Sequence, residues 1–214
     1  MTNRPQLLLV AGPNGAGKST YSKLLSEPDA LIFDVDKVIA RIEALSPQLS
    51  KKQVYEASTQ EFFKQANSAI SRRQHFTLET NFRDDHVLDV VAEFKRFGYT
   101  ANMIYLTLPN VDQSTRRVEE RVNNGGHFVD RKNIEQNYEI GLQYLERFAD
   151  RFENLEVVDA STTEGQLRSL LSVRNGQQAY LSKNVPEELK KVIGAIQLKF
   201  EPGQSRKIRR GPHL

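Results

Sequence analysis

Gly12-Pro13-Asn14-Gly15-Ala16-Gly17-Lys18-Ser19-Thr20 follows the spacing G-x-x-x-x-G-K-[ST], which is the spacing of a phosphate-binding loop. Such a loop turns its backbone N–H groups inward onto phosphate oxygens, and side chains at the turning points would block that approach. Gly12, Asn14, Gly15, Ala16, Gly17, Lys18, Ser19 and Thr20 are therefore the candidate nucleotide-binding residues. Lys18 would reach the β and γ phosphates of a nucleoside triphosphate, and the Ser19 hydroxyl would hold Mg²⁺.

A phosphate-binding loop does not say what happens to the phosphate, so the acids and bases around it must decide. Transfer to an alcohol needs a carboxylate that orients the hydroxyl and accepts its proton. Asp36, just past a short apolar run, is the candidate base and a candidate metal ligand. Asp34, two residues earlier and on the same face of an extended segment, is the reserve, able to serve Mg²⁺ or substrate instead. Either could simply cap a helix. Glu79 and Thr80 end another apolar run and could meet substrate hydroxyls; a structural ion pair is the competing use of Glu79. Arg117 and Arg121, four apart on a helix face with Arg116 beside them, could clamp phosphate and stabilise transition-state charge, or pair with Glu119 or Glu120. Gly125-Gly126 would hinge a lid over the nucleotide, with His127 at its edge. Phe33, Tyr55, Phe62 and Phe63 are read as core.

The elements that must position these groups are short apolar runs alternating with helical patterns. Strands are expected at Leu7–Ala11, Ala30–Phe33, His75–Glu79, Ala101–Leu108 and Leu155–Asp159. Helices are expected after the Gly-rich loop, over Lys37–Leu45 and Lys51–Arg73, from Asp84 or Asp85 to Phe97, and over Val111–Val122, Ile134–Ala149 and Glu164–Leu171. The alternation implies an α/β fold around a mainly parallel, five-stranded sheet, with ligand at the carboxyl ends of the strands. Gly12, Asp36 and Glu79 would converge there. Beyond Asn175 the pattern weakens to a short helix, Pro186–Ile193, and a strand, Ala195–Phe200. The expected division is a kinase-like domain over 1–174 and a basic extension over 175–214.

The net charge of +3 is unevenly spread: residues 175–214 hold eight Lys/Arg and three Asp/Glu, so the rest of the chain is slightly acidic. Nucleic acid is thus not expected as a partner except through the basic tail around Ser205–Arg210. No apolar run approaches the ~18 residues of a membrane span, and the first strand is too short for a signal peptide. A cytoplasmic protein is expected. The absence of cysteine excludes disulfides and thiol catalysis.

The loop at Gly12–Thr20, the acid at Asp36, Phe76-Thr77-Leu78-Glu79-Thr80, and Arg117-Val118-Glu119-Glu120-Arg121 with Gly125-Gly126-His127 come in the order and spacing of one family. Over residues 5–172 the chain resembles the zeta toxin family of P-loop kinases. The resemblance implies an adenylate-kinase-like, three-layer α/β/α fold with a helical lid. It also implies transfer of the ATP γ-phosphate, with Mg²⁺, to the 3′-hydroxyl of the amino sugar in UDP-N-acetylglucosamine, and inhibition by an antitoxin, here expected as a separate chain. By position it makes Lys18 and Ser19 nucleotide and Mg²⁺ ligands and Asp36 the base. Glu79 and Thr80 would face the sugar, and Arg117 or Arg121 would clamp phosphate. One segment departs from the family: an arginine-rich run is replaced by Ile134-Glu135-Gln136-Asn137-Tyr138. Other acceptors (a nucleotide, a nucleoside, an RNA end) and a non-catalytic nucleotide switch are the alternatives.

Overall fold

The computed structural model describes residues 4–126, 128–162 and 166–201. Leu7 to Ala11 is apolar at every position because its strand is covered on both faces, the condition of an interior parallel strand. This strand, β1 (Gln6–Ala11), lies between β3 (Phe76–Thr80) and β4 (Thr100–Thr107), parallel to both. Leu7, Leu9 and Ala11 enter one apolar cluster, while Leu8 and Val10 enter a second. The period of two along β1 thus divides its side chains between the two faces. β2 (Leu31–Asp34) pairs with β3, and β5 (Asn154–Asp159) with β4, both parallel.

The sheet does not stop at five strands. β6 (Arg168–Arg174) and β7 (Gln177–Leu181) add to it antiparallel, giving seven strands in the order β2-β3-β1-β4-β5-β6-β7. The expected helix over Glu164–Leu171 is therefore corrected: its described part becomes strand from Arg168 onward. Gln-Leu-Arg-Ser-Leu-Leu satisfies a helical pattern locally, but Leu170, Leu171 and Val173 are all fully buried once paired beside β5. Tertiary burial overrides the local preference. The expected strand over Ala195–Phe200 is likewise a helix, α7 (Glu187–Leu198), whose Leu189, Ile193 and Ile196 are buried at helical spacing. Gly194 lies inside this helix, on an open side.

The other helices are α1 (Lys18–Leu25), α2 (Val35–Leu45), α3 (Lys51–Arg72), α4 (His86–Arg96), α5 (Val111–Asn123) and α6 (Arg131–Phe148). α3 opens with a reciprocal Ser50/Gln53 cap. Phe33 is buried and meets half-buried Phe62 edge to face, but Tyr55 and Phe63 are exposed, so the core reading of those two is corrected. They occupy positions on a long helix that the sheet does not cover. No helix among the described residues is long and apolar enough to cross a membrane.

Candidate active site

β1 and β3 end side by side, and register sets the acids. Asp34 of β2 lies opposite Glu79 of β3, and Ala11, just before the Gly-rich loop, lies opposite Thr80. The strand order reverses at β1, since the chain leaves it through α1 for β2 and returns to β3 between them. Parallel sheets leave a crevice at such a reversal. The crevice here is an open cleft of about 450 Å³.

The loop that forms its floor is built tightly. Gly12 has φ +143, and a Cβ there would lie 2.4 Å from the Leu106 carbonyl oxygen, so only glycine fits. Asn14 is buried and held from two helices. Its carbonyl accepts from Ser114 Oγ of α5 at 2.5 Å, and its Oδ1 from Asn137 Nδ2 of α6 at 2.6 Å. Asn137 in turn accepts from Arg83 at 2.6 Å. Asn137 belongs to the segment that departs from the family's arginine-rich run, and in this fold the position is a buried amide relay to the loop. α1 starts at Lys18 with Gly17 as its cap and no acidic residue in its first turn. The first-turn amides of a helix have no intrahelical acceptor and carry its positive dipole end.

Lys18 folds back on the loop. Its ammonium donates to the carbonyls of Gly12 (2.8 Å) and Pro13 (3.0 Å) and to Asn81 Oδ1 (2.8 Å), three acceptors for three N–H bonds. Burial lowers its pKa to about 8, an effect that Asp36, Glu79 and Asp34 partly offset and Arg121 reinforces.

The Ser19 hydroxyl lies between two carboxylates, 3.0 Å from Asp34 Oδ2 and 2.8 Å from Glu79 Oε2. Glu79 is buried, and its other oxygen accepts from Ser22 Oγ at 2.6 Å. Both oxygens of Glu79 thus face α1. Thr80 is committed too, its hydroxyl accepting from the Phe82 backbone N–H at 2.9 Å. That bond closes a tight turn in which Phe82, fully buried, takes the left-handed conformation at φ 53.

The two aspartates are not equivalent. β2 ends at Asp34 and α2 starts at Val35, so the backbone period changes between them and the shared face expected of an extended segment is lost. Asp34 caps α2, with Oδ1 accepting from the N–H groups of Asp36 (3.1 Å) and Lys37 (3.3 Å). Its Oδ2 takes the Lys37 ammonium. Burial would raise its carboxyl, but the hydrogen bonds and charge of Lys37 outweigh this and hold it below the ordinary range. Asp36 sits exposed in the first turn of α2 and lines the cleft.

The two arginines are also separated by role. Arg117 spreads its fork over backbone carbonyls, Nη1 to Ala160 (2.8 Å) and Gly15 (3.4 Å) and Nη2 to Ser161 (3.0 Å). It braces the Gly-rich loop against the end of β5. Arg121, exposed, lines the cleft with Glu120 and Asn124. α5 ends in a left-handed cap: Gly125 has φ +82, and the Gly126 N–H returns to the Arg121 carbonyl at 2.9 Å. His127 lies outside the described residues.

Sequence reasoning missed Asn81, Lys37, Ser22 and the Arg83–Asn137 relay. Asn81 directly follows Glu79-Thr80, and Lys37 stands three residues after Asp34 on a helix, spacings that could have drawn attention to both.

Comparison with known proteins bears on the fold and the family. An uncharacterized protein of Haemophilus influenzae is 23% identical over 122 residues, 57% of this chain and 84% of its own length. A chain from the PezAT chromosomal toxin-antitoxin system of Streptococcus pneumoniae superposes with a TM-score of 0.60 at 16% identity, over 96% of this chain and 82% of that one. AvrRxo1-ORF1:-ORF2 with ATP gives 0.64 at 13% identity, over 95% and 67%. At these identities the solved structures attest the fold. The model of the family described as Zeta toxin matches residues 1–179. The chain belongs to the zeta toxin family.

Proposed function

We propose that this protein is an ATP-dependent kinase that transfers the γ-phosphate to a hydroxyl of a UDP-sugar such as UDP-N-acetylglucosamine. The observation that carries the reading is the convergence, in one cleft, of Lys18, the Ser19 hydroxyl with Asp34 and Glu79, and the exposed carboxylate of Asp36. A pure nucleotide switch has no use for that last group. The UDP-sugar acceptor is taken from the family.

Among the described residues no group of three or more His, Cys, Asp and Glu is arranged to hold a metal. One hydroxyl flanked by two carboxylates is instead the hard-oxygen set of an Mg²⁺ that takes its remaining ligands from phosphates and water. Ser19 would hold the ion, with Asp34 and Glu79 beside it. The ion would supply positive charge against the β and γ phosphates during transfer. Lys18 would leave its carbonyls for the same phosphates, while the first-turn amides of α1 bind their oxygens. Asp36 would orient the acceptor hydroxyl and take its proton. Arg121, on the cleft wall, would add positive charge, and Arg117 would keep the loop in place.

The partner in this reading is a separate antitoxin protein, since the pneumococcal fold relative belongs to a toxin-antitoxin system. The test is an acceptor panel with γ-labelled ATP: UDP-N-acetylglucosamine, other UDP-sugars, nucleosides and 5′-hydroxyl RNA. Label confined to UDP-sugars is expected. Label on a nucleoside or RNA end alone would overturn the choice of acceptor.

The lowered pKa of Lys18 gives a pH signature. Phosphate binding selects the ammonium, so ADP affinity measured without metal should be flat near pH 7 and fall above pH 8. Near pH 9 only about a tenth of the free protein would carry the charge, a loss of about tenfold. The stability sign is opposite. Below pH 8 both native and unfolded states hold the proton and the burial cost is felt in full. Between pH 8 and the unfolded value near 10.5 the unfolded state binds more protons, so this cost is relieved as pH rises. Calorimetric titration across pH 7–9 checks the first effect, and the Lys18→Arg variant should be flat over the range.

A further inference from the structure

Lys37 is an unexpected residue at its position. With Asp34 as the cap of α2, it is the third helical residue, where a capping box carries Glu or Gln and the helix dipole disfavours a cation. Its side chain does not turn away from that end. The ammonium hydrogen-bonds Asp34 Oδ2 and lies 3.9 Å from Glu79 Oε1. These two carboxylates share the Ser19 hydroxyl, and Asp34 Oδ2 serves both Ser19 and Lys37. The Asp34 and Glu79 side chains are only 10% and 5% exposed, whereas Lys37 is 57% exposed. Two such acids close together repel one another and favour protonation unless a cation neutralises them. Lys37 supplies that cation from outside, on a flexible stem that can withdraw to water. A divalent ion at the same oxygens would exclude it, by space and by like charge.

We propose that Lys37 is a tethered counter-ion of the Asp34–Glu79 pair, displaced when Mg²⁺ enters with nucleotide, so that it raises the Mg²⁺ concentration at which the site fills. The inference rests on the kinase reading, because that reading puts the ion beside Ser19. It makes Lys37 a positioning residue that acts through the two acids.

The test is Mn²⁺ binding to the full-length protein, followed by the electron paramagnetic resonance of the free ion, with and without a non-hydrolysable ATP analogue. Lys37→Met keeps the stem and removes the charge; Lys37→Gln is a second neutral variant; Lys37→Arg keeps the charge. Both neutral variants are expected to bind Mn²⁺ about two- to fivefold more tightly than the native protein, the upper range of a partly exposed ion pair. Lys37→Arg should stay near the native affinity. Melting curves identify any variant that fails to fold, and the remaining neutral variant then decides. Mn²⁺ binding that depends on the analogue but is equal or weaker in the neutral variants would overturn the role of Lys37 and leave the kinase reading standing. No gain in Mn²⁺ binding from the analogue in any protein would overturn both.

Discussion

Lys18→Ala is expected to lower phosphotransfer by about 10³-fold, the scale of removing a preorganised group from developing transition-state charge. Nucleotide affinity should fall less, by about ten- to a hundredfold, the range of one hydrogen bond to a charged group. The fold should survive, because two of the three acceptors that Lys18 satisfies are backbone carbonyls beside an open cleft that water can reach. Single-turnover rates and calorimetric binding separate the two effects, and melting curves check the third. A rate within threefold of native would remove Lys18 from the chemistry.

Asp36→Asn is the second large effect. Losing a general base costs about 10²- to 10⁴-fold in rate, while nucleotide affinity should stay within about threefold. The split is expected because Asp36 is exposed on the cleft wall, while Ser19 touches Asp34 and Glu79 instead. Asp34 is already committed to the α2 cap, Ser19 and Lys37. Full transfer by the Asp36→Asn protein would pass the role of base to Asp34. A parallel loss of nucleotide binding would mean that Asp36 holds the metal instead.

What could be read in advance divides along the range of the physics involved. The loop at Gly12–Thr20 is a local device, with its glycines and lysine set by spacing within nine residues, so it was legible. The interior strands were legible as apolar runs. The split between Asp34 and Asp36 was not, because it depends on where β2 becomes α2, which makes Asp34 the helix cap and puts Asp36 in the first turn. Arg117 was legible as a helix-face arginine, expected on phosphate. Its engagement with Ala160 and Ser161 was not, since those carbonyls arrive from more than forty residues away. β6 was misread for the same reason: the partner that buries Leu170 and Leu171 is β5, and nothing within the segment announces it. Glu79 lines the cleft as its strand-end position implied, but Ser22, a residue of α1 with no motif of its own, donates to one of its oxygens.

The central claim is transfer of phosphate from ATP to a sugar nucleotide at this cleft. The most direct test incubates the purified protein with Mg-ATP and UDP-N-acetylglucosamine and follows the sugar nucleotide by mass spectrometry, with Lys18→Ala as the control. The account predicts a product heavier by one phosphoryl group, formed by the native protein and not by the variant. An unmodified sugar nucleotide, in a sample where calorimetry shows ATP bound, would contradict it.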